Sequence, residues 1–188
     1  GQPVTEFSEP ILIRIPLGDI GDADRELLSV AKIVDGKFIF YGGRVEGDAI
    51  VEARDTFSSY VVVENKVVFS DTETVRSWAG RQIEVMAAKG AIEGKAEGVF
   101  APHDNVTRAE FAKMLVKALD LDNVKATESF DDVKATDWFA PYVAAAVQNG
   151  IIQGRSSAAF DPLATITRAE MATMIARALQ AKYNLNGS

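Results

Sequence analysis

The chain has 188 residues, 47% of them apolar and 25% charged, the composition of a globular protein with room for one or two cores, not of a disordered segment. A formal net charge of −7 and a pI near 4.8 argue against nucleic acid and anionic membrane as partners, because binding of that kind runs on clustered Lys and Arg. The lack of cysteine excludes disulfides, thiolate metal sites and a cysteine nucleophile, and no apolar run approaches the roughly 18 residues of a membrane span.

The first residues, Gly1-Gln2-Pro3-Val4, show neither an initiator Met nor the basic and apolar regions of a signal peptide, so the chain is expected to be an internal fragment. Residues 1–67 carry strand signals at Ile11 to Ile15, Leu27 to Ile33, Lys37 to Tyr41, Ala49 to Ala53 and Ser59 to Val63, and a last strand is expected at Lys66 to Phe69. Asp35-Gly36 has hairpin chemistry, and Gly42-Gly43 and Gly47-Asp48 mark further turns. The segment reads as a short antiparallel β unit, part of a larger β domain. Asp19, Asp22, Asp24 and Glu26 lack the glycine and terminal glutamate of an EF-hand loop, so they read as a solvated charge cluster and no metal is expected.

After Phe69 the apolar period changes from two to 3.6 and the sequence copies itself. Trp78 recurs as Trp138, Gly90 as Gly150, Gly94 as Gly154, Phe100 as Phe160, Pro102 as Pro162 and Thr107-Arg108-Ala109-Glu110 as Thr167-Arg168-Ala169-Glu170, all 60 residues apart. Each copy reads as helix, loop, helix, at residues 68–122 and 130–182 with 123–129 as a polar linker. The first helix is expected from Trp78 to Lys89, with Ile83, Met86 and Ala87 facing inward, matched by Val143, Ala146 and Val147. Gly90 and Gly150 end these helices as left-handed C′ residues. The second helix presents Phe111, Met114, Leu115, Ala118 and Leu119, matched by Met171, Met174, Ile175, Ala178 and Leu179. Two-helix units of this size do not bury their apolar faces alone, and roughly three are needed for stability. The fold class is thus α+β.

Within the copies, Thr107-x-x-Glu110 and Thr167-x-x-Glu170 are capping boxes. Arg108 and Arg168 place a cation against the positive end of a helix dipole, a penalty of roughly 0.3 to 1 kcal/mol that calls for compensation. A neighbouring carboxylate would supply it; so would a site in which first-turn amides and a guanidinium together bind a carboxylate-sized anion. Trp78 and Trp138 serve either as core or as stacking faces for a sugar ring, with burial the ordinary fate of so large a side chain. The single His103 has Leu163 as its counterpart, so no acid-base role repeats with the fold, and no Ser-His-Asp set or phosphate loop is recognisable. No catalytic residue and no cofactor is expected.

The order Phe-x-Asp, Trp, Gly-(Ala/Ile)-Ile-x-Gly, Phe-x-Pro and Thr-Arg-Ala-Glu, present from Phe69 to Leu119 and again from Phe130 to Leu179, resembles the S-layer homology family. The resemblance implies a partial pseudo-threefold spindle, of which this chain shows two of the usual three repeats, and inter-repeat grooves that bind an anionic secondary cell wall polysaccharide, commonly one bearing a pyruvate ketal. It implies an extracellular location in the cell wall or S-layer. The groove candidates it points to are Arg108, Arg168, Trp78, Trp138, Asp71, Asp132, Gly94, Gly154 and Arg155, with Arg108 the first choice because it adjoins the second copy. Asp71 and Asp132 serve either as caps or as acceptors for sugar hydroxyls, and Gly94 and Gly154 either as turn glycines or as points of close ligand approach. The expected function is non-covalent anchoring to the wall without turnover. The alternatives are a self-assembly module, in which another copy supplies the missing third repeat of a homo-oligomer, and a fragment of a secreted glycoside hydrolase with a catalytic role.

Overall fold

The computed structural model of the chain describes residues 6–56, 58–121 and 130–183; the linker at 123–129 lies outside the described residues. The chain is α+β, with six strands, β1 (Glu6–Pro16), β2 (Leu28–Val34), β3 (Lys37–Gly42), β4 (Arg44–Glu46), β5 (Ala49–Thr56) and β6 (Val61–Glu64), followed by four helices, α1 (Arg76–Ala88), α2 (Arg108–Ala118), α3 (Ala140–Gln148) and α4 (Arg168–Tyr183). It forms two compact units, one ending at His103 and the other beginning at Asp104. The first copy of the repeat is therefore divided: α1 lies in the unit with the strands, and α2 in the unit with the whole second copy.

In the first unit the strands form two antiparallel three-stranded sheets, ordered β1-β5-β4 and β3-β2-β6. Asp35 and Gly36 both take left-handed φ, 50° and 76°, and close the β2-β3 hairpin with Val34 opposite Lys37, the geometry that a two-residue primed turn requires. Leu28, Val30 and Ile50 form the core, with Ile13, Ile15, Val45, Tyr60 and Val62 packed on it. The strand expected at Lys66 to Phe69 does not form, since pairing of β6 with β2 ends at Glu64 and the Asn65 side chain turns to donate to Ala88 O at 3.1 Å. The short β4 was hidden between two glycine turns. Arg81 of α1 binds Glu26 and Asp24, and Lys89 donates to Leu28 O and Gly43 O, so part of the acidic cluster of the β unit is occupied in fastening α1.

The helix ends follow the local chemistry. Gly90 and Gly150 have φ of 70° and 68°, and Ala91 and Ile151 donate back to Met86 O and Ala146 O at 2.9 and 2.8 Å, completing Schellman motifs. Both capping boxes are present, with Glu110 N and Glu170 N donating to Thr107 Oγ1 and Thr167 Oγ1 while each glutamate accepts from its threonine amide.

The apolar stripes match the expectation in part: Phe111, Met174 and Ala178 are buried, and Leu115, Leu119 and Met171 pack against the same core. On α2 the buried apolar residues are Ala109, Phe111, Ala112 and Val116, whereas Ala118 is exposed. The reason is the packing partner: α2 lies against α3, whose Ala140, Ala144, Ala145 and Ala146 are all buried and small enough to admit a close approach. Val143, Ile151, Ile152, Phe160, Met174 and Ala178 complete this core. On α4 Met174 and Ala178 are buried, but Ile175 and Leu179, the counterparts of the part-buried Leu115 and Leu119, are 40% and 39% exposed.

Candidate functional site

The spaced motifs of each copy converge on one knot. Phe69 lies tilted against Phe100 with ring centroids 5.2 Å apart, and Phe130 stacks on Phe160 at 5.7 Å. Asp71 accepts from the amides of Phe100 and Ala101 at 2.9 and 2.7 Å, and Asp132 repeats this with Phe160 and Asp161 at 2.9 and 2.7 Å. Ala101 and Asp161 have φ of 57° and 62°, a left-handed conformation that costs a non-glycine residue roughly 1–2 kcal/mol; the carboxylate bonds to their amides help offset it. Asp71 and Asp132 therefore fasten the Phe-x-Pro loop of their own copy; neither caps a helix. The amides of Phe100 and Ala101 hold the Asp71 carboxyl below the usual range. For Asp132, burial pushes the pKa up, but the amides of Phe160 and Asp161 outweigh it and the net shift is downward.

Gly94 and Gly154 are explained by space alone. A Cβ on Gly154 would fall 2.7 Å from Ala159 O and nearer still to Ser156 O and the Phe130 ring; one on Gly94 would fall 2.8 Å from Ala96 O and 2.9 Å from the Phe69 ring. Both glycines let the aromatic ring of the Phe-x-Asp motif lie directly on the backbone.

The two motif arginines have different fates. Arg108 is only 4% exposed. Its Nε donates to Phe160 O at 2.9 Å, its Nη1 to Glu170 Oε1 at 2.7 Å and its Nη2 to Gln153 O at 3.4 Å, and its guanidinium carbon stands 4.7 Å from the centre of the Phe160 ring. The first-turn amides of α2 are also taken, Arg108 N by Ala164 O at 2.9 Å and Ala109 N by Pro162 O at 3.0 Å, so they are not free to bind an anion. The neighbouring carboxylate that would offset the helix dipole is Glu170, from the other copy. Arg168, one repeat later, is exposed and makes no hydrogen bond or ion pair among the described residues.

Trp78 and Trp138 are not core residues: they are 73% and 52% exposed. Trp138 meets Phe139 edge-on at 5.3 Å and lies 5.7 Å from the Lys113 ammonium.

Between the copies, within the second unit, Arg108 from α2, the Ile152-Gln153-Gly154-Arg155 loop and one face of α4 enclose an open cleft of about 340 Å³. This brings together three of the sequence candidates, Arg108, Gly154 and Arg155. Arg155 pairs with Asp161 and with Glu170 at 3.3 Å. Glu170 is the one carboxylate in the lining and is fully engaged: the Thr167 amide lowers its pKa most, burial opposes, and the Thr167 hydroxyl, Arg108 and Arg155 lower it further. Arg177, also in the lining, was missed in the sequence. Its only signal there was its place three and seven residues after Met174 and Glu170, on the same helix face. Arg168, Trp78, Trp138, Asp71, Asp132 and Gly94 do not line this cleft.

Two helix-loop-helix copies, each knotted by Phe-x-Asp, Gly and Phe-x-Pro, with a buried arginine linking α2 to the second copy, define a tandem helical repeat module. The chain matches the S-layer homology domain at residues 68–112 and 129–172, and over these two segments it belongs to the S-layer homology family. It is 29% identical over 176 residues, 93% of this chain and 9% of the relative, to an amylopullulanase of Thermoanaerobacterium thermosulfurigenes. It is 32% identical over 123 residues, 65% of this chain and 10% of the relative, to the surface-layer 125 kDa protein of Lysinibacillus sphaericus. With the S-layer protein sap of Bacillus anthracis it shares 34% over 112 residues, 59% of this chain and 14% of the relative. The chain thus spans about a tenth of the length of these proteins. S-layer homology domains are non-catalytic modules that anchor proteins to the cell wall, which places this chain at the bacterial cell surface. Among the described residues no helix is long and apolar enough to cross a membrane.

Proposed function

We propose that the chain anchors a surface protein by binding an anionic secondary cell wall polysaccharide in the cleft between its two repeats, with the carboxylate of a pyruvate ketal as the recognised group. The observation that carries this reading is the charge of the lining, three arginines against one glutamate whose oxygens are already engaged, in a chain of net charge −7. A field of that sign, concentrated in a partly enclosed cleft, attracts a local anion that the protein as a whole would repel. The work is recognition without turnover. The volume lies at the small end of the roughly 300 to 1,000 Å³ typical of ligand pockets, which suits one charged sugar residue at a time. Arg155 adds a partly exposed cation to the lining, already paired with Asp161 and Glu170, and Arg108 acts mainly by holding the two walls together.

The test is calorimetric titration of the chain with purified pyruvylated wall polymer and with the same polymer after depyruvylation. Binding to the first and a loss of at least about tenfold, 1.4 kcal/mol, with the second is the expected result. Equal affinity for both would overturn the carboxylate reading.

A second reading is favoured by the stripe of Ile175, Leu179 and Tyr183, all exposed on α4. The counterparts Leu115 and Leu119 are part-buried against the core that the second copy completes, so a further two-helix unit, from a third repeat or from another copy of the chain, would cover the stripe in the same way and extend the spindle. Light scattering over a range of concentrations tests the homo-oligomer: mass rising with concentration, and abolished by Leu179→Glu, is expected if another copy supplies that unit.

A further inference from the structure

Three guanidiniums reach the cleft, and their states differ. That of Arg108 is buried and all of its nitrogens donate within the protein. That of Arg155 is tied to Asp161 and Glu170. Arg177 is part-buried on the cleft face of α4, one turn beyond Thr173 and Met174, and makes no hydrogen bond or ion pair among the described residues. It therefore keeps the capacity of its five N–H groups, in a place partly withdrawn from water where a charge-assisted bond is worth more than on the open surface. Glu170, two turns back on the same face, is the nearest carboxylate in the lining by sequence, and it is already shared by Arg108 and Arg155.

We infer that Arg177 is the specificity-determining cation of the cleft: it receives the ligand's carboxylate through two parallel N–H···O bonds, while Arg108 holds the cleft together and Arg168 takes no part. The inference rests on the anchoring reading above and assigns its chemistry to a residue that lies outside the Thr-Arg-Ala-Glu motif. Its counterpart in the first copy is Lys117, which carries a point charge and no planar fork, so bidentate recognition is a property of the second copy.

The experiment uses the whole chain and a defined probe, the methyl glycoside of a hexosamine bearing a pyruvate ketal, compared with its methyl ester, which removes the charge and little else. The wild type is expected to prefer the acid at least about tenfold. Arg177→Gln, which preserves helix propensity, should lose at least about tenfold for the acid, stay within about twofold for the ester, and so lose the preference; Arg168→Gln should match the wild type. Arg177→Lys keeps the charge and guards against a folding defect, and it should recover only part of the loss. If both Arg177 variants keep the full preference of the wild type, the role assigned to Arg177 is wrong and the anchoring reading stands. If the wild type binds neither the glycoside nor purified pyruvylated polymer, both fall together.

Discussion

Arg108 and Glu170 meet across the two repeats, Nη1 to Oε1 at 2.7 Å, with the arginine side chain 5% exposed and the glutamate 26%. The pair joins the first turn of α2 to the first turn of α4, and the same glutamate carboxylate closes the α4 capping box. One carboxyl group thus fixes a helix start, the junction of two repeats and the electrostatics of the cleft.

Removing the arginine takes from that carboxylate its closest cation, leaving it Arg155 and Thr167, and leaves Phe160 O and Gln153 O without their guanidinium donors. Breaking a buried pair from one side costs about 3 kcal/mol, so Arg108→Ala is expected to lower the melting temperature by on the order of 10 °C or more, followed by circular dichroism at 222 nm. Arg108→Lys should recover little, because a single ammonium cannot serve three acceptors in different directions. Arg168→Ala, at the equivalent position, should change stability by less than about 0.5 kcal/mol. Equal losses at the two positions would contradict the asymmetry described above.

The glycines offer a contrast in sign. Gly154→Ala forces a methyl group into Ala159 O and the Phe130 ring and should destabilise by about 1–3 kcal/mol. Gly80→Ala, inside α1, meets only the Arg76 side chain, 3.2 Å away at Cγ, on an exposed and flexible residue that can move aside. The gain in helix propensity should then stabilise by up to about 1 kcal/mol. Urea denaturation of the two variants, read as midpoint shifts of opposite direction, checks both.

Acid should weaken the fold through the knots. The pKa values of Asp71, Asp132 and Glu170 are all lowered from ordinary values of 3.8, 3.8 and 4.5, so each group binds protons more readily when the chain is unfolded. Their contribution is complete above the ordinary carboxylate range and is lost as pH falls through the lowered folded values. The urea midpoint is therefore expected to hold from neutral pH to about 5 and to decline below about 4. Asp132→Asn should be less stable at neutral pH and show a shallower decline, because the amide cannot supply charge to the Phe160 and Asp161 N–H groups and no longer titrates.

Much of the architecture was legible before any coordinates, because it is dictated by local chemistry. Asp35-Gly36 specifies its hairpin through positive φ, Gly90 and Gly150 stop their helices for the same reason, and the Thr-x-x-Glu boxes start theirs by satisfying amides within four residues. The alternation of residues 27–33 and 49–53 and the doubling of the motifs likewise marked a β unit followed by a tandem helical repeat. Where local chemistry was silent the reading failed: Lys66 to Phe69 has strand composition, but pairing had already ended at Glu64.

The site shows the same division more sharply. Sequence alone determined which residues recur, that the chain lacks a repeating acid-base group, and that any anion must be met by a few placed cations. Arg108 and Arg168 share one motif, and the sequence ranked Arg108 first only because it adjoins the second copy; it could not show that one is buried and paired and the other exposed. Tertiary packing buried the first beneath the second copy and left the second exposed. Nor could it show that Asp71 and Asp132 bind backbone amides about thirty residues downstream, that Trp78 and Trp138 are exposed, or that Arg177 turns toward the cleft. Those outcomes depend on which surface covers a side chain, and a long-range property of that kind leaves no trace in the spacing of neighbouring residues.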